Sequence, residues 1–282
     1  MPEEIRIETA SGIRAARVWG PSAGPTVLAV HGWLDNAASF DHLAVRLPEL
    51  RIVALDLPGH GLSEHTPAEV LYPFVDHVAA VYEVAAALSL DTLSLLGHSL
   101  GAGVCSIFAG TFPKRVTRMV LIEGLGPISE HPKHAPERLA KALLEQTAKR
   151  GKRAVVHASR EAAQRRLLAT PSKMKADSVE TLLTRGLREL EGGVTWRSDP
   201  ALRLASRLRL SEDQVLAFLG AIACPTLLIR GDTGYPLVPD KGTPRVEVVP
   251  NLQVLQLPGG HHLHLDEPDG VAAAVSAFFA DG

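Results

Sequence analysis

The chain has 282 residues, a formal net charge of −2 at pH 7 and two cysteines. This near-neutral charge favours neither nucleic acid nor an anionic membrane surface as a partner, and two cysteines cannot form a disulfide framework. The N-terminus lacks the apolar core of a signal peptide, and no apolar run has the length of a membrane span. We therefore expect a cytoplasmic protein that does not insert into a membrane. The sequence leaves its oligomeric state open.

Short apolar runs alternate with helical patterns along most of the chain. Strands are predicted at Ile5–Glu8, Arg14–Trp19, Thr26–Val30, Arg51–Leu55, Thr92–Leu96, Val116–Ile122, Thr226–Arg230 and Leu252–Leu257. Helices are predicted at Ser39–Leu47, Pro73–Leu88, Ala102–Phe112 and Pro268–Phe279. The first two strands are expected to pair antiparallel, and the others are apolar enough to be buried on both faces. The alternation predicts an α/β fold with a mostly parallel central sheet flanked by helices.

The alternation stops between about residues 126 and 219, a stretch with helical periodicity and no convincing strand. We interpret residues 126–219 as a helical cap, inserted into a core of residues 1–125 and 220–282 and lying over the carboxyl edge of the sheet. The cap is basic, with Arg138, Lys141, Lys149, Arg150, Lys152, Arg153, Arg160, Arg165 and Arg166 outnumbering Glu137, Glu145 and Glu161. Solvated helix faces are the preferred interpretation, and a rim that attracts an acidic substrate is the alternative.

The five residues 97–101, GHSLG, join a predicted strand to the helix that follows it. A glycine lies two residues before Ser99 and another two residues after it. Larger side chains at these two positions would collide with the sharp strand-to-helix turn, which holds the central side chain outward. The hydroxyl would then lie at the carboxyl edge of the sheet, above a helix N-terminus. Ser99 is therefore the candidate nucleophile.

An activated serine needs a general base within hydrogen-bond reach. The loop 259–268, GGHHLHLDEP, precedes the closing helix and offers His261, His262 and His264. Three histidines in four positions also suggest a metal site. However, no cysteine is nearby and His261 and His264 stand in a loop, so we expect no metal and no cofactor.

The reaction also needs hydrogen-bond donors for an oxyanion. The backbone N–H of Leu100, directly after the nucleophile, is one candidate. The other is the N–H of Trp33, in the loop after the Thr26–Val30 strand, where Gly32 allows a tight turn; Trp33 can also form a wall of the pocket. The remaining histidines near these motifs are expected to be buried, hydrogen-bonded loop residues: His31, His60 and His98.

Two carboxylates could orient the base. Glu123 follows the Val116–Ile122 strand, and Asp232 follows the Thr226–Arg230 strand. Both positions lie at the same edge of a parallel sheet, within reach of the final loop. Either carboxylate could instead bond loop amides, so the residues themselves leave the acid open.

Through these motifs the chain resembles the α/β-hydrolase fold superfamily over essentially its whole length. The candidate serine, acid and histidine also follow one another in the order that is typical of that superfamily. Within it, the chain is most similar to the serine hydrolase-like protein group, through HGWLDNAASFD at 31–41, GHGLS at 59–63, residues 228–235, and the stretch from His261 into Glu267-Pro268. The resemblance implies Ser99 as nucleophile and His261, rather than His262, as base. It also implies oxyanion amides at Trp33 and Leu100.

The chain departs from the superfamily at the acid. Many members carry it in a Gly-x-x-Asp pattern after the penultimate strand, but here Gly234 holds the fourth position and Asp232 comes two residues early. Other relatives, such as one branch of the haloalkane dehalogenases, carry the acid one strand earlier, where Glu123 stands. Glu123 is therefore the preferred acid and Asp232 the alternative.

A serine at the elbow argues against dehalogenase and epoxide hydrolase chemistry, which use aspartate there in this superfamily. The resemblance implies a serine hydrolase that cleaves a small-molecule carboxylic ester or related acyl bond through an acyl-enzyme. The alternatives are hydrolysis of an amide, thioester, lactone or carbon–carbon bond, and a non-catalytic ligand sensor on the same fold. Substrate identity and acyl length depend on the cap, and the sequence does not fix them.

Overall fold

The structure, a computed structural model, describes residues 2–67, 70–149, 155–170, 174–235 and 243–280. Its strands are β1 (Glu3–Thr9), β2 (Gly12–Trp19), β3 (Thr26–Val30), β4 (Arg51–Leu55), β5 (Leu93–His98), β6 (Val116–Ile122), β7 (Val156–His157), β8 (Leu187–Leu190), β9 (Gly193–Trp196), β10 (Thr226–Gly231) and β11 (Leu252–Leu257). Its helices are α1 (Asp41–Ala44), α2 (Phe74–Ala87), α3 (Leu100–Thr111), α4 (Ala135–Lys149), α5 (Arg160–Leu168), α6 (Ala176–Gly186), α7 (Glu212–Gly220), α8 (Thr243–Val248), α9 (Leu263–Asp266) and α10 (Pro268–Ala280). Short 3₁₀ helices occupy Ala37–Phe40, Pro132–His134 and Pro200–Arg203.

The central sheet has eight strands in the order β1-β2-β4-β3-β5-β6-β10-β11. The pairs β1/β2 and β2/β4 are antiparallel, and the remaining neighbours are parallel, which confirms the predicted mostly parallel sheet. Because β3, β5, β6 and β10 run in the same direction, the loops that follow them meet at one edge. All the candidate site residues except those of the final histidine loop lie just after these four strands.

Several predicted elements have different bounds in the structure, among them the strand at Thr92–Leu96 and the helix at Ser39–Leu47. The strand predicted at Thr92–Leu96 continues to His98, because its pairing with β6 extends to the register His98↔Ile122. The helix predicted at Ser39–Leu47 is a 3₁₀ helix, Ala37–Phe40, followed by the single turn of α1. Here the side chain of Asn36 caps the 3₁₀ helix by accepting a hydrogen bond from the N–H of Ala38.

Apolar side chains cover both faces of the sheet. Leu95 belongs to one buried cluster, which includes residues of α2 and α3, and its neighbour Leu96 belongs to the other, which includes residues of α10. Successive side chains of a strand point to opposite faces, so both clusters hold each central strand in place. Cys105 and Cys224 are buried and unpaired, and burial raises the pKa of both thiols.

The predicted cap contains strands as well as helices. The strands β7, β9 and β8 form an antiparallel three-stranded sheet, so the expectation of no strand between residues 126 and 219 is wrong. The strands β8 and β9 have only four residues each and meet at Gly192 and Gly193, where φ is +87° and +148°. Strands this short give too few residues for alternation to stand out beside the helical periodicity of α6.

Parts of the predicted cap lie outside the described residues: 150–154, which include the basic side chains Arg150, Lys152 and Arg153, and 171–173. The division into a core and an inserted cap stays a prediction.

A buried ion pair joins helix α6 to the central sheet's loops. The Nε of Arg185 donates to Oδ2 of Asp56 at 2.9 Å, and both side chains are almost completely buried. The carboxylate of Asp56 also accepts hydrogen bonds from the backbone N–H groups of Ala37 and Leu62, each at 2.7 Å. One carboxylate therefore holds two loops of the sheet edge and the helix packed over them.

Among the described residues, no helix combines the length and apolarity needed to cross a membrane.

We expect the free energy of unfolding to decrease as the pH is lowered below about 6.5, because buried histidines such as His77 are neutral in the folded chain. Burial lowers the pKa of His77 to about 4 in the folded chain, so unfolding takes up a proton between these two pH values. The substitution His77→Gln should flatten the pH dependence by up to about 1.4 kcal/mol per pH unit.

Urea unfolding between pH 4 and pH 7 measures this slope. The exposed His134→Gln variant is the matched control and should keep the wild-type slope. An unchanged slope in His77→Gln would contradict the expectation.

Candidate active site

Ser99 occupies the sharp turn between β5 and α3. Its backbone is left-handed, with φ +52° and ψ −112°, a conformation that is strained for any residue with a side chain. A Cβ at Gly101 would meet the carbonyl oxygen of Val30 at 1.9 Å, and one at Gly97 would meet Cα of Ala102 at 2.6 Å. Close backbone packing therefore requires both glycines, as the motif predicts.

His261, in the loop between β11 and α9, contacts Ser99 directly. Its Nε2 lies 2.9 Å from Oγ of Ser99, and its Nδ1 lies 3.2 Å from Oε2 of Glu123. A carboxylate beside Nδ1 favours the tautomer with the proton on that nitrogen, which leaves Nε2 as an acceptor for the serine hydroxyl. The ring of Tyr235 packs against His261, with ring centroids 4.4 Å apart. The geometry suits removal of the hydroxyl proton by His261.

Glu123 is held rigidly at the end of β6. Its backbone is left-handed, with φ +54°, and its side chain is only 1% exposed. Besides contacting His261, its carboxylate accepts hydrogen bonds from the N–H of Gly231 at 2.7 Å and of Tyr235 at 3.0 Å. These donors satisfy the buried carboxylate and fix its direction.

The structure places Asp232 away from His261. Its Oδ1 accepts a hydrogen bond from the N–H of Gly259 at 2.9 Å, in an exposed turn. A Cβ at Gly234 would lie 2.1 Å from Oε2 of Glu123. The carboxylate of Glu123 therefore fills the space next to the fourth position of the Gly-x-x-Asp pattern, and the structure brings Glu123 rather than Asp232 to the histidine.

The candidate oxyanion donors lie on neighbouring elements. Leu100 is the first residue of α3, and Trp33 follows β3, which pairs with β5. Within the described parts of the chain, neither backbone N–H donates to a protein acceptor. The whole Trp33 residue is 54% exposed, and its indole Nε1 donates a hydrogen bond to the carbonyl oxygen of Leu202 at 3.1 Å. Trp33 therefore also links the site to the predicted cap.

Two buried histidines hold the loop that carries Trp33. The ring of His31 receives a hydrogen bond from the N–H of Leu57 at 3.1 Å, and the ring of His60 receives one from the N–H of Leu34 at 3.2 Å. The prediction that His31 and His60 are buried, hydrogen-bonded loop residues is confirmed. The bond from Leu34 holds that residue at φ +66°, directly after Trp33.

His98 is also buried, and its Nε2 lies 2.9 Å from the carbonyl oxygen of His261. It thereby links the nucleophile's strand to the base's loop, as expected for a hydrogen-bonded structural residue. The other two histidines do not face the serine. His264 lies in α9 rather than in a loop as expected, with its Nε2 2.8 Å from Oγ of Ser39, and His262 faces Asp35.

Asp35 is the site residue that the sequence analysis missed. Its Oδ2 lies 3.6 Å from Nδ1 of His98 and 3.4 Å from Nε2 of His262. Burial opposes ionisation of Asp35, but His262 and His98 outweigh it and hold the pKa of this carboxyl well below its usual value. Asp35 and His262 come from two loops far apart in the chain and His98 from the end of β5, so no local spacing in the sequence could identify them.

The two histidines beside Asp35 differ in charge preference. Burial lowers the pKa of His98 to about 4. Burial also opposes charging of His262, but the adjacent Asp35 carboxylate outweighs it and raises the pKa of His262. The Asp35 carboxylate therefore has one neutral and one readily protonated imidazole beside it.

Comparison with known proteins identifies the family. The model of the alpha/beta hydrolase fold family matches residues 25–268. A serine hydrolase-like protein of Dictyostelium discoideum is 32% identical over 292 aligned residues, which cover 98% of this chain and 81% of that protein. This match confirms the resemblance to the serine hydrolase-like group.

Solved structures agree with the sequence matches. A hypothetical protein of Pseudomonas aeruginosa PAO1 is 42% identical with a TM-score of 0.92, and the match covers 99% of this chain and 98% of that one. The thioesterase domain from the curacin biosynthetic pathway is 28% identical with a TM-score of 0.83, over 99% of both chains. These matches support a hydrolase. With its parallel sheet and its GHSLG elbow, the chain belongs to the alpha/beta hydrolase fold family.

Proposed function

We propose that the protein is a serine hydrolase that cleaves a small-molecule carboxylic ester, or a related acyl bond, through Ser99, His261 and Glu123. The observation that carries the proposal is the continuous line of contacts from Glu123 through the imidazole to the serine hydroxyl, with distances of 3.2 and 2.9 Å. A ligand sensor has no need of a base aimed at a nucleophile on a strained turn.

Acylation begins when Oγ of Ser99 attacks the acyl carbon and its proton passes to Nε2 of His261. The carboxylate of Glu123 holds the ring and stabilises the imidazolium that forms. The N–H groups of Leu100 and Trp33 bind the negative oxygen of the tetrahedral intermediate, and such a donor typically contributes roughly 10²–10³ in rate.

Collapse of the intermediate breaks the bond to the leaving group, which takes the proton from His261. Water then attacks the acyl-enzyme, giving its proton to Nε2 of the same histidine. The second tetrahedral intermediate collapses, Oγ of Ser99 recovers the proton, and the carboxylic acid leaves. Each proton is carried by the chain's own residues.

A thioester is the second candidate substrate class. The structure that is 28% identical to this chain, with a TM-score of 0.83, is named as a thioesterase domain. The same acylation steps apply, with a thiol in place of the alcohol as leaving group. Comparing kcat/KM for an oxygen ester and a thioester of the same acyl group separates the two candidates.

We expect a fluorophosphonate probe to add once to the wild-type protein and not at all to Ser99→Ala, because only an activated hydroxyl attacks phosphorus at a useful rate. Intact-mass analysis measures the adduct. The half-buried Ser276 on α10, which donates a hydrogen bond to the carboxylate of Glu49, provides the matched control: Ser276→Ala should react like the wild type. A folded wild-type protein without an adduct would contradict the proposal.

We expect Glu123→Gln to lower kcat for a chromogenic ester by up to about 10⁴, because an amide beside Nδ1 favours the wrong tautomer of the histidine. The change keeps the size of the side chain. Asp232→Asn, made at the other candidate acid, should change kcat less than about threefold, since the one partner of its carboxylate among the described residues is a loop amide. Steady-state kinetics of both variants decide, and the reverse order of losses would assign the acid to Asp232.

A further inference from the structure

Three buried side chains meet next to the serine and its base. Asp35 comes from the loop after β3, His98 from the end of β5, and His262 from the loop before α9. One ligand-type atom of each lies within 4.8 Å of the other two. Among the described residues, no other three His, Cys, Asp or Glu side chains meet this closely.

The contacts within this cluster leave polar atoms without partners. Oδ2 of Asp35 and Nδ1 of His98 are both buried, and neither has a hydrogen-bond partner within the described part of the chain, although only 3.6 Å separates them. Such groups are costly to bury unpaired. His262 attracts the carboxylate from one side at 3.4 Å, and a group that attracts both Oδ2 of Asp35 and Nδ1 of His98 would remove the remaining cost.

The hydrogen bond on the other side of His98 decides what Nδ1 offers. Its Nε2 faces the carbonyl oxygen of His261 at 2.9 Å. A carbonyl oxygen accepts only, so Nε2 carries the proton of the neutral ring. Nδ1 then presents a lone pair to the Asp35 carboxylate, and two buried acceptors face each other. A cation between them would convert this repulsion into two bonds.

Contrary to the sequence expectation of no metal, which considered only the histidines of residues 259–268, we propose that Asp35, His98 and His262 bind one divalent transition-metal ion, with Zn²⁺ the best match. Two imidazole nitrogens and one carboxylate oxygen form a known Zn²⁺ ligand set, which leaves a fourth position for water. Donors at about 2.0–2.2 Å from one tetrahedral ion stand about 3.3–3.6 Å apart. The distances from Oδ2 of Asp35 to the two ring nitrogens, 3.4 and 3.6 Å, fit this spacing.

The surroundings of the cluster fit a metal site in a second respect. A histidine that binds a metal usually donates its other ring N–H to a carbonyl or carboxylate, which fixes the ring's tautomer and orientation. The bond from Nε2 of His98 to the His261 carbonyl does this. The side chains of His262 and Asp35 are 9% and 10% exposed, so the site is buried yet close to the surface.

The metal site is distinct from the proposed catalytic residues. His98 directly precedes Ser99, and His262 directly follows His261, but neither of the catalytic side chains supplies a ligand. A bound ion would tie together the three loops that carry the nucleophile, the base and Trp33. It takes no part in the acyl-transfer steps, so the inference does not depend on the proposed function.

Titration of EDTA-treated protein with Zn²⁺ by calorimetry, and with Co²⁺ by visible absorption, tests the proposal. We expect one equivalent of each ion to bind, and Asp35→Asn and His262→Gln each to weaken the affinity at least tenfold. His261→Gln and the exposed His134→Gln are the controls and should bind as the wild type does. Circular dichroism of each variant confirms that it is folded.

A measurement on the wild type alone guards against variants that fail to fold. X-ray absorption at the zinc edge should show two imidazole nitrogens and a carboxylate oxygen as ligands. Absence of one-equivalent binding by the wild type would overturn the proposal. So would binding that His261→Gln abolishes and Asp35→Asn retains, because the ion would then lie at the Ser99–His261 pair. The fluorophosphonate adduct, read without metal, reports separately on the proposed function.

Discussion

The close approach of two backbones at the end of β5 is the constraint on which the site depends. Gly101 lies so near the carbonyl of Val30 that no other residue fits, and this contact starts helix α3 directly at the sheet edge. The chain can make that turn only if Ser99 takes a left-handed conformation. Such strain typically costs about 1–3 kcal/mol, which the packed surroundings must offset.

The packing that offsets this strain is also what aligns the site. Leu95 and Leu96 are buried on opposite faces of the sheet, so β5 cannot shift without disturbing both apolar clusters. The parallel neighbours β3 and β6 are fixed in the same way, and their following loops bring Trp33 and Glu123 to the same edge. The histidine loop reaches this edge from the far end of the chain, where His98 donates to its backbone.

The sequence predicts most of the frame and the nucleophile because both rest on local patterns. Buried parallel strands are continuous apolar runs, and the bounds of β3, β4 and β6 follow from composition alone. The bounds of β11 are also predicted, but the expectation that it is buried on both faces is wrong, because it is the edge strand of the sheet and has no buried residue. The choice between Glu123 and Asp232 depends instead on which carboxylate can reach His261 in space. Gly234 is the one local sign of the answer, because the missing side chain there makes room for the carboxylate of Glu123.

Other features lie beyond local patterns for the same reason. The strands β8 and β9 gain their partners only from each other and β7, and four residues are too few to show alternation. The Asp35, His98 and His262 cluster joins residues separated by more than sixty positions in the chain. Such a set becomes visible only when the sheet brings its loops together.

A crystal structure of the wild-type protein after reaction with a fluorophosphonate would show whether Ser99 and the two backbone amides form one working site. We expect a bond from phosphorus to Oγ of Ser99, and a phosphoryl oxygen about 2.7–3.1 Å from the backbone nitrogens of both Leu100 and Trp33. His261 should remain in contact with Glu123. A bond to any other residue, or a phosphoryl oxygen that faces neither nitrogen, would contradict the account.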